Sequence, residues 1–392
     1  MATDRQTRIA EAAGIPIGKA LYLVGIGSTM SFAAGRMVDP VEGMHRAIAR
    51  PWLEALGPAG RSVRLAHDSM LRLVYGSIRL GVVTAGIGLD LALAAESATA
   101  DSVRAFVDGL WARARQEDVA AASMSVRDGS GHEVRMGSAL APVFPTATGH
   151  IVVLVHGLTR TERCWHGDIG RPGLMQALEE RPELTPVAIR YNTGLDVGTN
   201  AELLSSLIDR LRSSWPVPVE SIALVGHSMG GLVIHAACAA AGTWIDDVTE
   251  VVTIGTPHRG APLEKLIHAA AAGLDLVSQT RPLAAALDAR SLGIKDLRLG
   301  SEGLVRDATQ QGGARSGGTV RYHVVAGVVT ADPAHPMGAI LGDLMVRPAS
   351  ATGIPSIDPA SVVVVGGVNH FDLLRSPAVI ERILGWLARA RG

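Results

Sequence analysis

The sequence predicts an α/β fold, a mostly parallel sheet with helices on both faces. Apolar runs alternate with helical stretches after about residue 130, and continuous apolar runs are typical of parallel strands that are buried on both faces. The runs lie at residues 150–155, 186–190, 221–225, 248–254, 320–329 and 361–365. With 392 residues, 47% of them apolar and 19% charged, the chain can bury a large core.

The chain changes character near residue 130, where the stretch Asp128–Gly131 predicts a turn or a linker. Residues 1–130 are expected to form a helical N-terminal region, and residues 131–392 an α/β domain. Between two predicted strands of that domain lies a long insertion, about residues 260–318. An insertion of this length in a compact domain is usually a functional cap or lid.

The most hydrophobic tract of the chain spans residues 69–95, and two readings of it stay open. Its uncharged run, Leu80–Leu89, is too short to span a bilayer, which takes about 20 apolar residues. A buried helix packed through its glycines is one prediction. Peripheral contact with a membrane surface is the other. The protein is accordingly expected in the cytoplasm, either free or membrane-associated.

Charge and cysteine content exclude several function classes. The net charge is −1 and the isoelectric point about 6.9, so no basic field points to nucleic acid. Two cysteines do not make a disulfide framework. The spacings C-x-x-C and H-E-x-x-H do not occur, and neither a metal nor a cofactor is expected. The oligomeric state is not encoded in any pattern.

The stretch Gly226-His227-Ser228-Met229-Gly230 fits G-x-S-x-G, the turn that presents a nucleophilic serine between a strand and a helix. The match alone is weak in a chain with 45 glycines. Its context makes it specific, because the apolar run 221–225 precedes it and a small-residue helical stretch up to Gly242 follows it. Ser228 is therefore the predicted nucleophile.

A serine hydroxyl needs a general base that a third group orients, and on this fold the order along the chain is serine, acid, histidine. His370 is the favoured base, because it follows the run Val362–Val365 and two glycines and precedes the last helix. Four other histidines follow Ser228 along the chain: His258, His268, His323 and His335. His323 lies within a predicted strand, His258 comes before any plausible acid, and His335 lies between the two candidate acids.

The acid is expected after the strand 320–329, where both Asp332 and Asp343 qualify. Asp343 is favoured, because the apolar residues Leu344, Met345 and Val346 follow it and are expected to anchor its loop against the core.

The oxyanion formed by attack on a carbonyl needs N–H donors that are already in place. The first is predicted from Met229, directly after the nucleophile and at the N-terminus of its helix. The second is predicted from Leu158 in the stretch His156-Gly157-Leu158, which follows the first long strand. Gly157 would let the backbone turn its N–H groups inward.

Taken together, the stretches HGL, GHSMGG, GTPHRG, GDLMV and VNHF resemble α/β-hydrolase lipases and esterases, in particular the PGAP1-like group of bacterial serine lipases. The resemblance covers about residues 145–392, and RYNTG (190–194) and RSLGIKDLRLG (290–300) look like further features of the group. It implies Ser228 as nucleophile, Asp343 as acid, His370 as base, and Leu158 and Met229 as oxyanion donors. The acid loop departs from the Asp-Gly that such enzymes often carry, because Leu344 follows Asp343.

The expected function is therefore cofactor-free hydrolysis of a small-molecule or lipid ester, with a preference for hydrophobic acyl groups. Transfer of the acyl group to an alcohol, or cleavage of a thioester or amide, would use the same residues. A non-catalytic binding module on the same fold is the alternative from another class.

Overall fold

The computed structural model of the protein describes residues 124–136, 140–167, 171–240, 242–260, 296–297, 320–354 and 357–389, together with short stretches between residues 38 and 79. The chain divides into two compact units. One comprises residues 1–117 with 266–290, and the other residues 118–265 with 291–392. The second unit holds the sheet and all the predicted site residues.

The sheet has eight strands in the order β2-β1-β4-β3-β5-β6-β7-β8. The strands are β1 (Ser125–Arg127), β2 (Glu133–Val134), β3 (His150–Val155), β4 (Thr185–Arg190), β5 (Ser221–His227), β6 (Val248–Ile254), β7 (Arg321–Val328) and β8 (Val362–Gly366). Strand β1 pairs antiparallel with both its neighbours, the edge strand β2 and strand β4, and every pair from β4 to β8 is parallel. The carboxyl ends of the parallel strands therefore lie at one edge, where sites on such sheets are built.

Helices cover both faces of the sheet. They are α1 (Leu140–Val143), α2 (Leu174–Glu179), α3 (Val197–Ser214), α4 (Met229–Ala239), α5 (Pro336–Leu341), α6 (Pro348–Ala351) and α7 (Pro377–Arg389). Four short 3-10 segments accompany them, at Glu162–Trp165, Thr243–Asp247, Pro359–Ser361 and Asp372–Arg375.

Alternation along β3 shows how the core divides between the two faces. Ile151, Val153 and Val155 pack with the buried faces of α3 and α4 in one cluster. Val152 and Leu154 pack with α2 and α7 in the other. Successive strand residues point to opposite faces, so a strand apolar at every position must be covered twice. This confirms the fold class predicted from the apolar runs.

Two boundaries differ from those predicted. The stretch Asp128–Gly131 is the turn of the β1–β2 hairpin, in which Asp128 Oδ1 accepts the N–H of Ser130 at 2.9 Å, so the sheet begins at Ser125, before the predicted start at 131. The apolar spacing over residues 201–212 predicts an amphipathic helix there, and helix α3 extends beyond it to Val197–Ser214. Asp196 sets the earlier start, because it caps the first turn by accepting the N–H of Thr199 at 2.8 Å.

The N-terminal unit is described only in part. Residues 67–72 and 74–79 are helical, with Leu71 and Tyr75 buried. Glu42 accepts hydrogen bonds from Arg46 and Arg79. Residues 80–95 lie outside the described residues, as do most of the other residues of the predicted helical region and nearly all of the predicted cap. In the described parts of the chain, no helix is both long and apolar enough to cross a membrane.

Candidate active site

Ser228 lies in the turn between β5 and α4, with φ 54° and ψ −122°. A non-glycine residue seldom adopts such a conformation, and it marks the strained turn that exposes a nucleophile at the end of a strand. The backbone N–H of Ser228 donates to Ile254 O of β6 at 2.8 Å, which fixes the turn to the neighbouring strand. Small residues on both sides are required, because a methyl on Gly226 would collide with Gly231 and one on Gly230 with Val155 O.

The structure brings His370 and Asp343 together. His370 Nδ1 lies 2.7 Å from Asp343 Oδ2, and the two residues are 2% and 1% exposed. The backbone joins the same two residues, since the His370 N–H donates to Asp343 O at 2.9 Å. A carboxylate in this position fixes the tautomer with the proton on Nδ1, which leaves Nε2 as the basic nitrogen.

Asp343 is held by its own loop. Its Oδ1 accepts the N–H groups of Met345 at 2.9 Å and Val346 at 2.7 Å, which leaves Oδ2 for His370. The expectation that Leu344 would anchor this loop was wrong, because its side chain is 64% exposed; Val346 is buried and serves as the anchor. Leu344 instead adopts φ 80°, which favours glycine. This explains the Asp-Gly that the resemblance led us to expect.

Two contacts place the imidazole of His370 beside the Ser228 turn. Gly255 directly follows Ile254, whose carbonyl accepts the Ser228 N–H. A Cβ built on Gly255 would lie 3.1 Å from His370 Cε1. His227, directly before Ser228, packs against the His370 ring at a tilt of 45° with 4.8 Å between centroids, and its Nε2–H donates to His370 O at 3.1 Å. Gly255 also has φ +58°, so both its backbone and the space before the imidazole require glycine.

The loop after β3 packs directly on the same turn. A Cβ on Gly157 would lie 3.0 Å from Ser228 Cβ, so the backbone that carries the Leu158 N–H passes against the serine. Met229 is fully buried as the first residue of α4. Neither of these two N–H groups donates to an acceptor among the described residues. Two unpaired donors beside one hydroxyl suit an oxyanion.

The stretch RYNTG holds this loop through three side chains. Arg190 binds the buried carboxylate of Glu162 through two nitrogens. The Tyr191 hydroxyl donates to His156 O at 2.7 Å, and Thr193 Oγ1 accepts the N–H of Thr159 at 3.1 Å. The position of the Leu158 N–H is therefore fixed from β4 before any substrate enters, which is the preorganisation that an oxyanion site needs.

Two further histidines line the site, and reasoning from the sequence alone missed them. Burial lowers the pKa of His156 to about 4, so its ring is neutral and its Nδ1–H donates to Gly157 O at 3.0 Å. Burial, followed by the charge of His370, holds the pKa of His227 well below its usual range. Both residues stand next to the glycine or serine of their motifs, and that adjacency was the available signal.

The remaining candidates lie elsewhere. Asp332 and His335 are exposed in the segment before α5, where Asp332 Oδ1 accepts the N–H of Ala334. His258 is buried against Thr253, with 3.1 Å between His258 Nε2 and Thr253 Oγ1. His323 pairs with Glu250 inside the sheet. His268 lies outside the described residues. The geometry therefore groups Ser228, Asp343 and His370 and separates the alternatives from them.

Comparison with known families agrees with this topology. A model of the PGAP1-like alpha/beta domain matches residues 188–280, a segment that includes β5, the Ser228 turn and β6. The protein has the α/β-hydrolase fold. The strand order, the parallel core with its antiparallel edge, and the strained serine after β5 are the features of that fold. The predicted resemblance and fold are thus both confirmed.

Several solved structures are similar to this chain at low identity. The mature lipase BlEst2 of Bacillus licheniformis is 19% identical with a TM-score of 0.44, over 60% of this chain and 91% of that one. The metagenomic carboxyl esterase MGS0156 is 18% identical with a TM-score of 0.38, over 62% and 76%. The lipase of Staphylococcus hyicus is 14% identical with a TM-score of 0.41, over 62% and 96%.

Proposed function

We propose that this protein is a serine hydrolase that cleaves carboxylic esters through an acyl-enzyme. The observation that carries the proposal is the buried Asp343–His370 pair packed against the strained turn that bears Ser228. A paired imidazole, a nucleophile and free N–H donors in one place are the parts that acyl transfer requires.

In the first half of the reaction, Ser228 Oγ attacks the ester carbonyl while His370 Nε2 takes the hydroxyl proton. The negative charge that develops on the carbonyl oxygen is stabilised by the N–H groups of Leu158 and Met229. Asp343 stabilises the imidazolium through the Nδ1–H bond. When the carbon–oxygen bond to the alcohol breaks, His370 returns the proton to the leaving alkoxide, and the acyl group stays on Ser228.

In the second half, water repeats the attack on the acyl-enzyme. His370 takes a proton from the water, the same two N–H groups hold the second oxyanion, and the acid is released as Ser228 recovers its proton. In the described structure the Ser228 hydroxyl makes no hydrogen bond with protein. Catalytic hydrogen bonds are often completed only when substrate is bound.

A panel of p-nitrophenyl esters of increasing acyl length tests the proposal. The wild-type protein should release p-nitrophenol from at least one ester, and Ser228→Ala should lower kcat by roughly 10⁴-fold or more. Wild-type protein inactive on every ester, with its fold intact, would favour the non-catalytic binding module.

The preference for hydrophobic acyl groups stays a prediction, because it rested partly on the composition of residues 260–318. The cytoplasmic location and the membrane contact of residues 69–95 stay predictions too.

A further inference from the structure

Arg160 is a half-buried cation in the loop of the proposed oxyanion donors. It lies two residues after Leu158, and its own N–H closes the turn by donating to Gly157 O at 3.2 Å. The adjacent Thr159 is tied to Thr193. The backbone of Arg160 is therefore fixed relative to the oxyanion donors.

The guanidinium group reaches across to the loop of the proposed base. Its Cζ lies 4.1 Å from the ring centroid of Phe371, and the Phe371 ring lies 5.5 Å from that of His370. A cation over an aromatic ring is attracted by the ring electrons, and this attraction does not use up the N–H donors of the guanidinium in hydrogen bonds. Its N–H donors lie in the plane of the group and stay available for a planar acceptor.

Among the described residues, no carboxylate forms an ion pair with this cation. Glu162, two residues after Arg160, binds Arg190, and Asp372, next to Phe371, accepts from Asn369. A half-buried guanidinium without an ion-pair partner among the described residues is suited to bind an anion through charge-assisted hydrogen bonds.

We infer that Arg160 forms an anion-binding subsite beside Ser228, so that the preferred ester carries a carboxylate or phosphate group close to its reacting carbonyl. The inference rests on the proposed function, whose substrate class it narrows. The anion occurs either on the acyl chain or on the alcohol, and bidentate hydrogen bonding to the guanidinium recognises both in the same way. Phe371 positions the guanidinium and does not itself touch the anion.

Two pairs of matched esters test the inference. The acyl side is probed with p-nitrophenyl butyrate against the p-nitrophenyl monoester of succinate, and the alcohol side with monobutyrin against butyryl glycerol phosphate. We expect Arg160→Gln to lower kcat/KM for the anionic member of at least one pair at least about 10-fold more than for its neutral member. Arg160→Lys, which keeps the charge but not the planar fork, should lose less.

The matched control is Arg210→Gln, which removes the same charge from an exposed position of α3 and should leave both ratios unchanged. If Arg160→Gln does not fold, Phe371→Leu and high salt decide, because each should lower the anionic preference without abolishing turnover of the neutral esters. Equal loss on both members of each pair, or no loss on either, overturns the subsite and leaves the proposed function standing. Wild-type protein inactive on all these esters overturns both.

Discussion

The unit that holds the sheet contains, among its described residues, two buried pairs of carboxylate and imidazole. One joins Asp343 and His370 at the carboxyl edge of the sheet, with 2.7 Å between Oδ2 and Nδ1. The other joins Glu250 of β6 and His323 of β7, with 2.6 Å between Oε2 and Nε2. Both carboxylates are almost completely buried, so neither distance nor burial tells a catalytic pair from a structural one.

The surroundings of the two pairs differ. Glu250 also binds Arg321 through its other oxygen at 2.6 Å, and the His323 ring stacks on Trp386 at 4.4 Å with 15° between the planes. The Nδ1 of His323 is buried without a hydrogen-bond partner. This pair is enclosed on regular strands and has no nucleophile beside it, whereas the Asp343–His370 pair is carried on loops that also contact the Ser228 turn.

The comparison shows that the position of a carboxylate–imidazole pair in the sheet, at the end of a strand or in its middle, decides whether the pair can meet a substrate. The carboxyl ends of parallel strands carry loops that can hold a substrate, and the middle of a strand does not. The nitrogen used matters as well. His370 uses Nδ1 for its carboxylate and keeps the outer Nε2 for chemistry, while His323 uses Nε2 and leaves Nδ1 in the core.

The largest expected effect separates the two histidines. His370→Ala should lower kcat by roughly 10⁴-fold or more, because triad members act as a unit. His323→Gln should keep kcat within a few-fold and instead lower the free energy of unfolding by about 1–3 kcal/mol, through the loss of a partner for buried Glu250. Ester kinetics and denaturant unfolding on both variants measure this. Comparable losses of kcat would erase the distinction between the pairs.

The second-largest expected effect separates the carboxylates of Asp343 and Asp332 by their influence on kcat. Asp343→Asn is expected to lower kcat by about 10³–10⁴-fold, because the amide no longer fixes the His370 tautomer. Asp332→Asn, at an exposed turn, is the matched control and should change kcat little. Steady-state kinetics on the ester best cleaved by wild-type protein provides the measurement. A larger loss for Asp332→Asn than for Asp343→Asn would mean that Asp332 is the acid.

Two buried, neutral histidines near the site predict a pH effect on stability. Burial lowers the pKa of His156 to about 4 and of His258 to about 3, from an ordinary 6.5. Between pH 6.5 and the lowered pKa of each ring, the unfolded chain binds a proton that the folded chain does not. Stability is therefore full above about pH 6.5 and falls as the pH drops, by about 1.4 kcal/mol per unit for each such histidine.

Denaturant unfolding at a series of pH values checks this, and His156→Gln should make the fall shallower. A free energy of unfolding that stays constant from neutral pH down to about pH 4.5 would contradict the neutral, buried state of these rings.

The smallest expected effect concerns backbone strain, which of the two pairs only the Asp343–His370 pair has next to it. Leu344 adopts φ 80° directly after Asp343, whereas Glu250 lies in a regular strand. Leu344→Gly should relieve this strain and stabilise the fold by up to about 1 kcal/mol relative to Leu344→Ala, which keeps a Cβ at the same φ. Urea unfolding of the two variants provides the comparison. An alanine variant at least as stable as the glycine variant would show that the loop is not strained.

The sequence predicted the fold and the grouping of site residues because both depend on local patterns. Each site loop directly follows a continuous apolar run, and carboxyl ends of parallel strands meet at one edge. Strands β3 and β6 begin and end where the sequence predicted. The short hairpin of β1 and β2 was missed, because strands of three and two residues are too short to show a period.

Contacts between distant residues were beyond prediction. The pairing of Glu162 with Arg190 and the contact between the His227 and His370 rings depend on how loops from different strands fold back. The same holds for Arg160 over Phe371, which joins two motifs more than half the chain apart. The exposed Leu344 shows the opposite error, since an apolar residue beside a core strand need not be buried when the backbone requires a positive φ.

Covalent labelling tests the central claim, that Ser228 is a nucleophile activated by His370, most directly. The protein is treated with a fluorophosphonate, and the modified residue is identified by mass spectrometry of its peptides. We expect one adduct, on Ser228, in wild-type protein and in His323→Gln, and none in Ser228→Ala or His370→Ala within the same time. An adduct on another residue, or undiminished labelling of Ser228→Ala, would contradict the account.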